Sequence, residues 1–104
     1  MIKLKGFQKK YLKGLAHGLS PVVQVGKNGL TDSLFKQIND QLEIHELIKI
    51  KFTDYKDEKK ELTQNIETGT DSILIGIIGH IAIFYKENAI EEKRKIEIPE
   101  TRTS

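Results

Sequence analysis

The chain has 104 residues, 38% hydrophobic and 31% charged, with a formal net charge of +2, which is the size and balance of one globular domain around one core. The absence of cysteine excludes a disulfide framework and a thiolate metal site. No apolar run approaches the roughly 20 residues that a membrane-spanning helix needs, so no membrane partner is expected.

Divided along the chain, the charge is less bland. Lys3, Lys5, Lys9, Lys10, Lys13 and Lys27 precede the first acidic residue, Asp32, leaving 11 of the 17 basic residues against all 15 acidic ones. A basic end on an acidic remainder points to a polyanion face; the alternative is a lysine surface that only meets solvent. Met1 to Lys5 lacks the apolar stretch of a secretory signal, and a cytoplasmic location is expected.

The segment from Lys3 to His17 has the pattern of an amphipathic helix. At about 100° per residue, Phe7, Tyr11, Leu4, Leu15 and Leu12 fall in an arc of roughly 40° to 180°. Lys5, Lys9, Lys13, Lys10 and Lys3 fill roughly 200° to 360°, and Gly18 ends the helix. Pro21-Val22-Val23-Gln24-Val25 then reads as a short buried strand. Thr31 is a natural N-cap for a second helix carrying Leu34, Phe35, Ile38, Leu42 and His45, which ends near Glu46.

Leu47 to Phe52 alternates, with Ile48, Ile50 and Phe52 on one face and Lys49 and Lys51 on the other. After Thr53-Asp54, Lys56 to Thr68 permits a polar third helix with Leu62 and Ile66 as its buried pair. Ser72 to Ile78 and Ile81 to Lys86 read as a hairpin turning at Gly79-His80, apolar enough for both strands to be central. The charged remainder holds an alternating Ile96 and Ile98, read as an edge strand or else as disorder. The expected fold is an α/β sandwich in the order helix, strand, helix, strand, helix, strand, strand, with a four-stranded mixed sheet.

The feature with chemistry is the turn Gly26-Lys27-Asn28-Gly29 between the first strand and the second helix. Glycine tolerates positive φ and lets a nucleic-acid backbone come close to the peptide, while Lys27 and Asn28 offer a charge and an amide donor. Alone, the pattern serves equally as a tight connection. The nucleotide-binding pattern G-x-x-x-x-G-K-[ST] is absent, and no cofactor or small-molecule substrate is expected. Asp32 sets any phosphate nearer Lys27 than the helix start. The candidate RNA-binding residues are therefore Gly26, Lys27, Asn28 and Gly29 with Lys3, Lys5, Lys9, Lys10 and Lys13; Lys49 and Lys51 either extend the basic surface or only face solvent. His17, His45 and His80 have no metal-ligand spacing, so no metal is expected, and no nucleophile-base or paired-carboxylate pattern indicates an enzyme.

Leu12-Lys13-Gly14-Leu15-Ala16-His17, Pro21-Val22-Val23, Val25 to Thr31, His45 to Lys51, Ile78-Gly79 and Ile83 to Lys86 together resemble the bacterial YhbY-type proteins, stand-alone CRM domains. The resemblance runs from about Leu4 to Pro99. It implies one RNA-binding domain over residues 1–99, with 100–104 a flexible tail, and a fold like the C-terminal domain of translation initiation factor 3. It further implies non-catalytic binding of ribosomal RNA in precursors of the large subunit, with Gly26 to Gly29 as the contacting loop. Relatives usually carry Lys or Arg after the hairpin glycine, where this chain has His80. The rival readings are a protein-interaction adaptor, using the acidic remainder and the tail after Glu87, and a non-specific polyanion binder.

Overall fold

The computed structural model describes residues 3–100. Helix α1 spans Gly6–Ala16, strand β1 Val23–Val25, helix α2 Asp32–His45 and strand β2 Leu47–Phe52. A 3₁₀ turn over Lys56–Glu58 leads into helix α3, Lys59–Thr70. Strands β3, Ile73–Ile78, and β4, Ile81–Tyr85, follow, and a second 3₁₀ turn covers Glu91–Lys93. The expected element order and the four-stranded mixed sheet are both present.

The sheet order is β1-β2-β4-β3. Strand β1 runs parallel to β2, with Val23 opposite Ile50 and Val25 opposite Phe52. Strand β4 is antiparallel to both β2 and β3. Only β2 and β4 are therefore central, and β3, expected to be covered on both faces, is an edge strand. Its far end explains the difference: Ile77 and Ile78 are exposed, the latter at 61%.

Strand alternation sorts the core into two layers. Val23, Val25, Ile48, Ile50, Phe52, Ala82 and Phe84 pack with Ile38 and Leu42 of α2 and Ile66 of α3. On the opposite face, Leu47, Ile73, Ile75, Ile83 and Tyr85 pack with Leu12 and Ala16 of α1. A register shift between Leu74 and Gly76 brings Ile75 and Gly76 together opposite Ile83, as a β-bulge does.

Helix α1 sits differently from its periodicity. Its buried residues are Leu12 and Ala16, while Tyr11 and Leu15 of the expected core arc are exposed. The buried stripe lies at the border between the apolar and basic arcs, where a lysine stem can itself lie on the sheet. The Lys13 stem lies against Gly76, where any Cβ would meet its Cε at 2.5 Å.

After Tyr85 a buried carboxylate gathers three backbone N–H groups of the chain. Glu46, fully buried and at φ +63°, accepts hydrogen bonds from the backbone N–H groups of Asn88, Lys95 and Ile96 at 2.6–3.1 Å. This tether lays Ile96 and Ile98 against the α1 layer. They form no strand, since their segment docks through side chains and Glu46 rather than a ladder. Most of the expected tail, from residue 101 onward, lies outside the described residues.

Candidate functional site

Parallel pairing of β1 with β2, and antiparallel pairing of β2 with β4, bring three connections to one end of the sheet. These are the Gly26–Gly29 turn, the Thr53–Tyr55 segment and the Gly79-His80 hairpin, the last tied in by the Phe52 N–H donating to the His80 carbonyl. The turn closes through the Gly29 N–H donating to the Gly26 carbonyl at 3.0 Å. Gly29 adopts φ +66°, a conformation that glycine takes without cost. Gly26 has no such requirement, and a Cβ there would have only Thr53 Oγ1 within 4 Å.

The second connection braces the turn. The Val25 carbonyl accepts from the N–H groups of Thr53 and Asp54 and from Thr53 Oγ1, all within 3.2 Å. Tyr55, itself left-handed at φ +52°, donates its hydroxyl to the Lys27 carbonyl at 2.7 Å and sets its ring beside Gly29. Neither the Lys27 nor the Asn28 side chain is paired with another described residue, and both residues are exposed. The backbone is thus braced, while the Lys27 and Asn28 side chains stay exposed. Tyr55 was not among the residues singled out from sequence; its contact spans 28 positions and has no local signal.

Thr31 caps α2 as expected, its Oγ1 accepting from the Leu34 N–H at 3.1 Å, and Asp32 occupies the first turn. That helix start already has an internal acceptor and a negative charge, consistent with an anion sitting nearer Lys27.

The lysines are not gathered at the turn. Lys13 lies over Gly76 on β3, and the turn leaves β1, so three strand spacings, about 14 Å, separate them across the sheet. Lys5 stands about 12 Å further along the α1 axis from Lys13, at the N-cap. Lys9 is half-buried, and Lys3 and Lys10 are exposed. Between helix and turn lie Lys49, whose ammonium donates to the Leu19 carbonyl at 2.9 Å, and exposed Lys51. Lys51 is the strand lysine nearest the turn: it pairs with Gln24, two residues before Gly26. Tyr85 is fully buried in the α1 layer and unable to stack on a ligand. Among the described residues no three His, Asp or Glu side chains are grouped to hold a metal ion, and no helix is long and apolar enough to cross a membrane.

Comparison with known proteins decides the family. The CRS1 / YhbY (CRM) domain model matches residues 4–86. The chain belongs to the CRM domain family. It is 38% identical to a Bacillus subtilis protein named "Probable RNA-binding protein YqeI", over 92% of this chain and 99% of that one. It is 42% identical to a Haemophilus influenzae protein named "RNA-binding protein", over 95% and 98%. Neither name carries a catalytic activity. The solution structure of SAV1595 from Staphylococcus aureus matches with a TM-score of 0.76 at 39% identity, covering 93% of this chain and all of that one.

In this CRM domain a lysine from another element reaches the hairpin. Lys59, at the start of α3, donates to the Gly79 carbonyl and sets its ammonium 3.1 Å from His80 Nδ1. Desolvation, then the charges of Lys59 and Lys56, hold the His80 imidazole below its ordinary 6.5, against a smaller opposing effect of Asp57. The charged form of His80 is thus disfavoured, and the Lys59 ammonium stands beside it at the hairpin.

Proposed function

We propose that this CRM domain binds RNA without catalysing a reaction, using the Gly26–Gly29 turn and the lysines of the adjoining sheet face and α1. The observation that carries this reading is the turn itself: its backbone is clamped by Tyr55 and Thr53, yet Lys27 and Asn28 have no partner among the described residues. A rigid, bare peptide next to an unpaired ammonium suits a phosphodiester, which needs close approach and charge. The names of the B. subtilis and H. influenzae relatives agree with it. Large-subunit ribosomal precursors are the proposed RNA, on the strength of the YhbY-type resemblance. The adaptor alternative loses part of its surface, because Ile96 and Ile98 are packed against the chain's own core.

The test is equilibrium binding of ribosomal RNA fragments over a salt series. Lys27→Gln and Lys9→Glu/Lys13→Glu are expected to weaken binding, and each lost phosphate contact to lower the log–log salt slope by about 0.7 on a single strand. Affinity unchanged at low salt would refute the site. For the ribosomal setting, the protein is expected to co-sediment with large-subunit precursors in an RNase-sensitive manner.

A further inference from the structure

Helix α1 covers only part of its sheet face. The row Gly76–Ile83–Lys49 lies beside Lys13, but among the described residues the next row towards the loops, Ile78–Ile81–Lys51–Gln24, contributes nothing to the buried layer under α1. Ile78, Lys51 and Gln24 are exposed and Ile81 is half-buried. The row crosses all four strands, about 14 Å, and its β1 end runs directly into Gly26. It contains one ammonium, one amide and two aliphatic side chains, and no acid.

We propose that this row receives unpaired bases, so that the RNA bound at the Gly26–Gly29 turn is single-stranded there; the inference rests on the RNA-binding reading above. A lysine without acids matches a polyanion, but Ile78 and Ile81 distinguish between its forms. A duplex turns phosphate and sugar outward and keeps its base faces stacked, which leaves two isoleucines with nothing apolar to cover them. An unpaired base has a free face to lay on them, and Lys51 and Gln24 stand within the same row for its phosphate and polar edge. The clamped turn then holds the backbone where the strand leaves the sheet.

Fluorescence anisotropy with an unstructured RNA of about 12 nucleotides and its duplex of equal length tests this over a salt series. The full chain is expected to favour the single strand by about tenfold or more. Ile78→Ser, at an exposed position whose fold is verified by circular dichroism, is expected to weaken single-strand binding about three- to tenfold with an unchanged salt slope, because an apolar contact releases no counterions. Lys51→Gln is expected to weaken binding and lower the slope. RNA binding indifferent to strandedness, or to Ile78→Ser, overturns the base contact while leaving the RNA reading intact. A chain that binds neither RNA refutes both. If sedimentation equilibrium shows that Ile78→Ser dissociates a dimer without altering RNA affinity, the row belongs to a second copy and the proposal is overturned.

Discussion

Replacing each glycine of the turn with alanine separates its structural role from its recognition role. Gly29 has φ +66°, and an L-residue held there costs about 1–2 kcal/mol. The added Cβ would meet Tyr55 ring atoms at 3.6–3.8 Å, ordinary contact, so sterics add nothing to that figure. For a domain of this size the loss corresponds to a fall in Tm of roughly 5–10 °C. Gly26 lacks a positive φ, and the nearest atom to its new Cβ is at 3.8 Å. Gly26→Ala is therefore expected to be neutral, or stabilising by about 0.4–1 kcal/mol through the less flexible unfolded chain. In RNA binding Gly26→Ala is nonetheless expected to be weaker than the parent, since its methyl group holds a phosphodiester away from the peptide. Thermal unfolding by circular dichroism gives the stability half, and anisotropy the binding half. Equal destabilisation by both substitutions, or none at Gly29, would show that the turn geometry has been misread. Full RNA affinity in Gly26→Ala would show that nothing approaches that backbone.

Glu46→Ala removes the acceptor of three backbone N–H groups and is expected to cost about 3–5 kcal/mol, capped by release of the segment after Tyr85 into water. Hydrogen exchange should quicken at Asn88, Lys95 and Ile96 ahead of the β2–β4 amides, and uniform acceleration would contradict a local tether. His80, with its pKa lowered in the fold, destabilises the native state as pH falls through the unfolded value of 6.5 towards the folded one. Its NMR titration midpoint is expected below 6.5 and to rise in Lys59→Gln; a midpoint unmoved by Lys59→Gln would remove Lys59 from the hairpin.

Element order, strand faces and the Thr31 cap were legible in the sequence because each depends on local periodicity or on a side chain bonding its own neighbourhood. The alternation of Ile48, Ile50 and Phe52 with Lys49 and Lys51 placed both lysines on one face, and the Gly26–Gly29 turn declared itself through its flanking strand and helix signals. Tertiary structure decided what those signals meet. Sheet order put β3 at an edge and exposed Ile78, and helix docking buried Leu12 as expected but added Ala16 and left Tyr11 and Leu15 exposed. The α1 lysines are near the turn in sequence, but three strand spacings, about 14 Å across the sheet, lie between Lys13 and the strand that leads into it, with Lys51 in between. The Tyr55 clamp and the Lys59 charge likewise join residues 28 and 20 positions apart. Periodicity fixes which side of an element is apolar; only the packing of one element on another determines how much of that side is covered, and which distant side chains share the surface left bare.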